Sequence, residues 1–362
     1  MAYLELETRN LILDKTFPFE NCYFCKTLKP TNLNKRKSDH IELAFESQLI
    51  QNDSRFFYEP LFAPSPSGVQ LAETVIGSKT MRAPIWISSM TGGAEKAGLI
   101  NQNLAKVARE YGLGMGLGSC RPVIEEKESA KDFQIRHLIG DQPLYANLGI
   151  AQIEEYIQQG MSNRMLELVK SLEADGLIIH VNPLQEWFQP EGDQFKNPPI
   201  DTIKRTIDLL DTSIMVKEVG QGFGPKSIET LLQLPLEALD FGSFGGTNFA
   251  VLENHRRNDI RKEEWKPATH IGHTAEEMLD WVNDFIEHHS DKIKTENIII
   301  SGGIKNFMDG YYFTQKLSFP GIYAQASVFL KYALLGEQEL FEYVDAQIEG
   351  LKMCQQYLQI RK

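Results

Sequence analysis

The stretch GLIIHVNPLQE, residues 176 to 186, decides the fold, because an apolar run that opens on glycine passes directly into a polar turn. Gly176 to Val181 is short, mostly apolar and rich in β-branched residues, which predicts a strand buried on both faces. A stretch with helical spacing, Ile200 to Leu210, follows it along the chain. A buried strand followed by an amphipathic helix is one unit of a parallel α/β fold.

Seven further runs of the same kind occur from residue 84 onward. They are PIWISS (84–89), GLGMG (112–116), LYAN (144–147), IMVKEV (214–219), ALDF (238–241), IIIS (298–301) and GIYA (321–324). Helical stretches separate them, and most runs begin about 25 to 38 residues apart, as in a barrel of about 250 residues divided by eight. We therefore predict an α/β protein with a (β/α)8 TIM barrel in residues 81–362. An open doubly wound sheet has the same alternation, but it rarely reaches eight consecutive units without a domain break.

Two segments depart from this regular spacing. About 60 residues separate the sixth and seventh runs, and the charged stretch Asn254–His273 within them predicts a long loop over the active-site face. Residues 1–80 precede the barrel and predict an N-terminal extension packed on it. In this extension, Cys22 and Cys25 have the spacing of half a zinc site, but no second pair completes four ligands, so we expect no metal there.

The composition restricts the function. Among 362 residues, 37 Lys and Arg stand against 49 Asp and Glu, a net charge of −12 that argues against broad binding to nucleic acid or anionic lipid. No apolar stretch approaches the roughly 20 residues of a membrane helix, and the start MAYLELETRN lacks the apolar run of a secretory signal. The sequence therefore predicts a cytoplasmic protein. An anionic substrate would need a local basic cluster, such as Lys35, Arg36 and Lys37.

Polar side chains collect where the predicted strands end, which is where a TIM barrel builds its active site. The strand at 176–181 supplies the densest group: His180 and Asn182 face the same way on an extended segment, and Gln185 and Glu186 follow. Lys217 interrupts the apolar run of the next strand. A buried lysine calls for an anionic partner, which is either a bound cofactor or a neighbouring carboxylate.

Glycines at other strand ends predict a phosphate cradle. Gly302 and Gly303 follow the seventh run and precede a helix predicted to begin near Ile304, an arrangement that binds phosphate through main-chain amides. The second run contains a GxGxG pattern that lacks the rest of a dinucleotide fingerprint. Its small residues instead predict space for a ligand ring, with Ser119 and Arg121 as phosphate donors.

Seven motifs occur in a fixed order: RKSDHI (36–41), SSMTGG (88–93), GSCR (118–121), HVNPLQE (180–186), VKEVG (216–220), GGTNF (245–249) and SGGI (301–304). In this combination the sequence resembles the type II isopentenyl diphosphate isomerases over nearly its whole length. The segment HxNxxQE after an N-terminal RKxxH is specific to that family, whereas MTGG, VKEVG and SGGI alone indicate only an FMN-binding barrel. The chain departs from the family's pattern at Cys120, Gly242, Asn248 and Phe249.

The resemblance implies FMN in its reduced working form, Mg²⁺, and NADPH as the reductant. By motif, the FMN-binding residues would be Met90, Thr91, Gly92, Ser119, Asn147, Lys217, Thr247, Gly302, Gly303, Ala324 and Gln325. The substrate-binding residues would be Arg36, Lys37, Ser119, Arg121 and Gln185, and the metal ligand would be Glu186. The catalytic group would comprise Gln185, His180, Asn182 and Glu253.

The implied reaction is a 1,3-proton shift that interconverts isopentenyl diphosphate and dimethylallyl diphosphate in isoprenoid biosynthesis. Protonating an alkene, a very weak base, requires an acid held tightly against the double bond, and the N5 region of reduced flavin is the implied acid–base group. Two alternatives stay open: an FMN-dependent 2-hydroxy-acid oxidase or dehydrogenase, and a flavin-binding protein without turnover. Barrels of this kind often assemble, so we expect a homo-oligomer, a tetramer or an octamer.

Overall fold

Eight parallel strands close into a barrel in the computed structural model, which describes residues 33–89, 97–125 and 127–361. The chain divides into two units, residues 1–53 and 54–362. In the first unit the described residues include helix α1 (Leu33–Leu43), on which Arg36 and Lys37 are exposed. The residues that carry sequence predictions but lie outside the described part are Cys22, Cys25, Met90, Thr91 and Gly92. The predictions for them stay predictions.

Three short strands precede the barrel in the second unit. They are β1 (Phe56–Tyr58), β2 (Thr74–Ile76) and β3 (Lys79–Met81). Strands β2 and β3 form a hairpin, whereas β1 pairs antiparallel with β12 (Leu358–Ile360), the last strand of the chain. The extension boundary predicted at residue 80 stays a prediction. Along the chain, the first structural unit ends at Asp53 and the second begins at Ser54.

The barrel strands coincide with the eight predicted runs. They are β4 (Ile85–Ile87), β5 (Gly114–Gly116), β6 (Leu144–Gly149), β7 (Gly176–Val181), β8 (Ser213–Glu218), β9 (Ala238–Asp240), β10 (Asn297–Ser301) and β11 (Gly321–Gln325). They follow one another around the barrel in chain order, and β11 pairs in parallel with β4 to close it. The (β/α)8 prediction is confirmed.

Helices surround the strands and connect them. They are α2 (Ala97–Tyr111), α3 (Arg121–Glu125), α4 (Arg136–Ile139), α5 (Ile150–Gln158), α6 (Asn163–Ser171), α7 (Pro183–Phe188), α8 (Pro199–Leu209), α9 (Pro225–Leu232), α10 (Phe249–Arg256), α11 (Arg261–Glu264), α12 (Ala275–His289), α13 (Phe307–Lys316), α14 (Ser327–Leu335) and α15 (Glu337–Tyr357). Within the described ranges, none of the helices has the length and hydropathy to span a bilayer.

Alternating side chains of the strands form two apolar layers, because successive strand residues point to opposite faces. One layer packs the strands against the helices, and the other, which includes Trp86, Tyr145 and Ile178, fills the barrel itself. A Cβ at Gly114 would overlap the ring of Trp86. The predicted ligand space along β5 is therefore wrong at Gly114, since this glycine makes room for a core tryptophan instead of a ligand ring.

The helix predicted near Ile304 begins later, at Phe307. Asn306 caps it, since its side-chain oxygen accepts hydrogen bonds from the main-chain N–H groups of Met308 at 2.9 Å and Asp309 at 3.1 Å. An N-cap side chain satisfies amides that the first turn of a helix leaves unpaired. The glycine pair at 302–303 therefore forms a separate turn and does not open the helix directly.

The stretch Asn254–His273 is more ordered than the predicted loop. It contains the end of α10, helix α11 and a 3-10 helix, Lys266–His270. Buried Arg257 explains this order, because its guanidinium lies 4.5 Å from the ring centre of Trp265 and its Nε donates a 2.7 Å hydrogen bond to the carbonyl of Phe188. The stretch is thereby tied to α7.

Candidate active site

A cavity of about 280 Å³ opens at the carboxyl ends of β4 and β8 to β11. Its lining includes six residues that the sequence predicted as ligand-binding: Lys217, Thr247, Gly302, Gly303, Ala324 and Gln325. The carboxyl ends of the strands carry the active site in characterised TIM barrels. The cavity is therefore the candidate active site, and the structure brings these six residues together on its lining.

Closely packed main chain forms one edge of the cavity. Gly302 and Gly303 have φ angles of +87° and +77°, which favour glycine. A Cβ at Gly302 would overlap the main chain of Ser243, and a Cβ at Gly246 would lie 3.1 Å from the nitrogen of Gly303. Ser243 Oγ also donates a 2.6 Å hydrogen bond to the carbonyl of Ser301. Because no side chains intervene, main-chain amides at this edge can approach an anionic group closely.

The first turn of α14 completes this edge. Its cavity-lining residues, with the residue before the helix, are Ala326, Ser327 and Val328. The first N–H groups of a helix have no partner within the helix and favour anions. Gln325 is already engaged, since its amide donates to the carbonyl of Ile304 at 3.2 Å and accepts from the hydroxyl of Tyr343 at 2.7 Å. The Gln325 side chain therefore supports the turn after Gly303.

A buried ion pair includes Lys217, one of the residues that line the cavity. Lys217 and Asp240, which are 7% and 2% exposed, occupy paired positions on β8 and β9, and Lys217 Nζ lies 3.7 Å from an Asp240 carboxylate oxygen. Nζ also donates a 2.9 Å hydrogen bond to the carbonyl of Glu218, and Ser301 Oγ donates to the other Asp240 oxygen. Of the two partners that the sequence left open for Lys217, the structure shows a neighbouring carboxylate, and Lys217 also lines the cavity.

Two hydroxyl groups at the end of β4 test whether the cavity fits a cofactor. The Oγ atoms of Ser88 and Ser89 are buried and have no hydrogen-bond partner among the described residues, and both serines line the cavity. A buried polar group without a partner is unfavourable, so a polar ligand would supply what these serines lack. Together with the ammonium of Lys217 and the glycine edge, this set of donors fits a cofactor that carries a phosphate and a polar ring, as FMN does.

His180 and Asn147 form a fixed pair on β7 and β6. The Nδ2 group of Asn147 donates to the carbonyl of Leu117 at 3.0 Å, which leaves the Asn147 oxygen to face His180 Nδ1 at 2.7 Å. His180 Nδ1 must then donate this bond, so Nε2 keeps its lone pair. Burial lowers the pKa of His180 to about 4, and the charge of Lys217 adds to the effect. His180 is therefore neutral at pH 7.

This shift predicts a pH-dependent contribution to stability. Between pH 6.5 and 4, His180 takes up a proton in the unfolded chain but not in the folded chain, which favours unfolding. The free energy of unfolding is therefore unaffected by this group above pH 6.5 and falls by about 3 kcal/mol as the pH drops to 4. We expect the difference in the free energy of unfolding between the wild type and His180→Gln to shrink over this range in urea titrations. Glu218, whose pKa burial raises to about 7, is present in both proteins, so its titration cancels in the difference. A constant difference would contradict the assignment.

A second polar cluster surrounds Glu186 on α7. Asn182 Nδ2 donates to Glu186 at 2.7 Å and to Gln185 Oε1 at 3.2 Å, and the main-chain N–H of Asp193 donates to the other Glu186 oxygen at 2.7 Å. Burial raises the pKa of Glu186, although these hydrogen bonds oppose the rise. The structure thus brings three predicted residues of the 180–186 segment into one network.

The same cluster supplies oxygen atoms for a cation. The Asn182 Oδ1 atom is buried and has no partner in the described part of the chain, and it belongs to the amide that holds Glu186. Within that part, no three His, Cys, Asp or Glu side chains are grouped closely enough to hold a metal by themselves. Mg²⁺ is often held by one or two carboxylates together with substrate phosphates and water. Glu186 with Asn182 fits that mode of binding.

The other predicted residues of the second unit make contacts of their own. Arg121, the first residue of α3, donates from Nε to Glu125 at 2.7 Å and from Nη1 to Asp193 at 2.8 Å, and Ser119 is half-buried just before it. Buried Glu253 pairs with Arg256 at 2.5 Å on α10 and does not line the cavity. The predicted roles of these residues, and those of Arg36 and Lys37 in the first unit, stay predictions.

The four departures from the family's pattern have structural roles. Gly242 has a φ of +53°, and a Cβ there would overlap the carbonyl of Glu218. Asn248 caps α10 by accepting from the next turn, and Phe249 lines the cavity. Cys120 is buried, and burial raises the pKa of its thiol to about 12. Cys120 is therefore a packing residue and is protonated at pH 7.

Curated relatives match most of the chain. An isopentenyl-diphosphate delta-isomerase from Rickettsia peacockii is 34% identical over 337 residues, which cover 90% of this chain and 94% of that protein. A protein of the same name from Rickettsia felis is 32% identical over 338 residues, covering 91% and 94%. Another from a Nostoc species is 34% identical over 282 residues, covering 76% and 77%. No family model matches the chain.

Solved structures share the fold at low sequence identity. The flavin-binding domain of baker's yeast flavocytochrome b2 is 11% identical, with a TM-score of 0.55, and the match covers 83% of this chain and 72% of that one. A mandelate oxidase variant with an FMN monooxide adduct is 12% identical, with a TM-score of 0.52, and the match covers 90% and 98%. These likenesses support the barrel fold.

Proposed function

Because the chain belongs to the isopentenyl-diphosphate delta-isomerase family, we propose that it interconverts isopentenyl diphosphate and dimethylallyl diphosphate by a 1,3-proton shift. One observation carries the proposal from the family to this chain. The glycine-edged cavity, the His180–Asn147 pair and the hydrogen-bonded cluster around Glu186 are all built by strand ends and the segments that follow them at the same end of one barrel. A cofactor site and a substrate site would therefore adjoin.

FMN is the proposed cofactor, with NADPH as its reductant. Lys217, Thr247 and the main chain of Gly302 and Gly303 would hold it, because they provide an ammonium, a hydroxyl and closely packed amides around the cavity. When bound and reduced, FMN supplies an electron-rich ring and an acid–base group. The proposal extends to Met90, Thr91, Gly92, Ser119, Asn147, Ala324 and Gln325 by motif alone.

The residues near Glu186 would bind the diphosphate. Arg121 presents a guanidinium, which suits phosphate oxygens, and Glu186 would bind a Mg²⁺ ion shared with the diphosphate. By motif, Arg36 and Lys37 would add positive charge. This neutralisation matters because the chain is acidic overall and offers no general attraction to an anion.

Neutral and hydrogen-bonding residues would surround the hydrocarbon part of the substrate. Protonation of the double bond develops positive charge on carbon, and a nearby cation would raise the energy of that state. His180 stays neutral because its pKa lies near 4, so it can accept a hydrogen bond at Nε2 without adding charge. Asn182 and Gln185 would orient substrate groups, and we propose that Glu253 acts at the periphery of the site.

The alternatives have less support. A 2-hydroxy-acid oxidase would share the barrel, but the likeness to such enzymes lies at 11–13% identity and concerns the fold. A flavin-binding protein without turnover would have no need of the cluster around Glu186. Neither alternative matches the names of the relatives at 32–34% identity.

Removal of each proposed ligand tests the function. We expect purified protein to form dimethylallyl diphosphate from isopentenyl diphosphate when it is supplied with FMN, Mg²⁺ and NADPH without oxygen. Omission of FMN, or chelation of Mg²⁺ with EDTA, should lower the rate at least 100-fold, and restoring the missing component should recover it. Full activity without FMN would refute the cofactor assignment, and full activity in EDTA would refute the metal assignment.

Two further expectations, on location and on assembly, belong to the same proposal. We propose a cytoplasmic location, supported by the acidic composition. We also propose a homo-oligomer of four or eight chains, which light scattering on the purified protein would establish or exclude.

A further inference from the structure

We propose that Asp193 is a positioning residue that ties Arg121 to Glu186, so that a diphosphate and its cation bind as one unit. This inference rests on the proposed function and adds a residue that the sequence motifs do not assign. Asp193 lies in the turn after α7, and no feature of its immediate sequence distinguishes it from an ordinary turn aspartate.

The main chain of Asp193 donates a hydrogen bond, whereas its side chain accepts two. Its N–H donates to Glu186 at 2.7 Å, while its carboxylate oxygen Oδ2 accepts from Arg121 Nη1 at 2.8 Å and from Gln152 Nε2 at 2.5 Å. Arg121 belongs to α3, Gln152 to α5 and Glu186 to α7. One residue therefore joins three separate elements at the mouth of the barrel.

The turn that presents Asp193 is tightly packed. A Cβ at Gly192 would overlap the main-chain oxygen of Glu186, and the N–H of Gly192 donates to the carbonyl of Gln189 at 3.1 Å. The close approach of the turn to α7 is what brings the Asp193 N–H to the Glu186 carboxylate. The position of Asp193 is thus set by the backbone and not only by its side-chain contacts.

Arg121 can bind Asp193 and a substrate phosphate at the same time, so the two do not compete for its guanidinium. A guanidinium has five N–H donors. Arg121 uses Nε for Glu125 and one Nη1 hydrogen for Asp193, and neither bond involves Nη2. A phosphate can therefore bind at Nη2 while Asp193 keeps its bond, so the aspartate need not leave when the substrate arrives.

Without the Asp193 carboxylate, Glu125 would be the remaining ionic partner of Arg121 among the described residues. Glu125 is four residues along the same short helix and half exposed, so that pair would draw the guanidinium along α3. The expected consequence is a weaker site for a diphosphate with Mg²⁺. FMN binding should not change, because Asp193 does not line the cavity.

Calorimetric titration of inorganic pyrophosphate into the FMN-loaded protein tests this inference. With Mg²⁺ present, we expect Asp193→Ala to weaken pyrophosphate binding about tenfold. Asp193→Asn should weaken it less, because an amide oxygen still accepts from Arg121 and Gln152. Glu125→Gln is the matched control, since it removes the other carboxylate from Arg121 and should change the affinity less than twofold. In turnover, Asp193→Ala should raise the KM for isopentenyl diphosphate about tenfold and change kcat less than twofold.

The outcomes separate the inference from the function on which it rests. If the wild type binds pyrophosphate with Mg²⁺ but the Asp193 variants bind it equally well or more tightly, the positioning role is wrong. If Glu125→Gln weakens binding as much as Asp193→Ala, any partner of Arg121 would suffice and the inference also fails. If the wild type itself neither binds pyrophosphate nor turns over, the proposed function fails. Unchanged FMN affinity and circular dichroism show that a variant is folded.

Discussion

Gly242→Ala should lose FMN binding and destabilise the protein by about 3–5 kcal/mol. Gly242 has a φ of +53°, which strains any residue with a side chain, and its Cβ would overlap the carbonyl oxygen of Glu218 on the neighbouring strand. Both costs act together, because relieving the overlap means separating the ends of β8 and β9. The main chain of Gly302 packs against Ser243, so a displaced residue 242 would also disturb the cavity edge.

Urea unfolding and flavin fluorescence titration measure these two effects. Gly68→Ala is the matched control, since a Cβ at Gly68 would meet no atom within 4 Å. We expect the control to stay within about 0.5 kcal/mol of the wild type and to bind FMN normally. If Gly242→Ala were as stable as the control and bound FMN equally well, the tight contact between residues 242 and 218 would not exist in solution.

Lys217→Met should lower stability and FMN affinity nearly as much, for an electrostatic reason. Met replaces the hydrocarbon part of the side chain but removes the ammonium that faces Asp240, whose side chain is 3% exposed. Breaking a buried ion pair from one side costs about 3–5 kcal/mol, because the remaining charge stays buried without its partner. The variant should also bind FMN at least 100-fold more weakly if the ammonium contacts the cofactor.

A double variant separates the two roles of Lys217. Lys217→Met combined with Asp240→Asn removes both charges, so we expect it to recover part of the lost stability, with a coupling of about 1–3 kcal/mol. FMN affinity should not recover, because the ammonium is still missing. Chemical unfolding gives the first quantity and calorimetry with FMN gives the second. Recovery of FMN binding in the double variant would show that Lys217 only neutralises Asp240.

The barrel could be predicted from the sequence because each buried strand appears there as a short apolar run bounded by glycine, proline or another turn residue. It also placed Lys217, Thr247 and the glycines at 302–303 on one cavity, since the carboxyl ends of parallel strands share one face. The ligand space expected beside Gly114 was wrong, because Trp86 from the neighbouring strand fills it. A pattern within one strand does not show what an adjacent strand contributes.

Two charged residues of the site were not predicted from the sequence. Asp240 is hidden in the short run ALDF, and its role depends on pairing with Lys217 across β8 and β9. Asp193 contacts Arg121 across 72 positions of sequence. Such contacts depend on how strands and turns meet in space, so local spacing and composition carry no signal for them.

The ratio of product formed to NADPH consumed tests the central claim most directly. Purified protein would be incubated without oxygen with FMN, Mg²⁺, NADPH and isopentenyl diphosphate, and both dimethylallyl diphosphate and NADPH would be followed in the same tube. A 1,3-proton shift involves no net oxidation, so we expect many product molecules for each NADPH, which serves only to reduce the flavin at the start. One NADPH for each product, or no allylic product at all, would contradict the assignment as a non-redox isomerase.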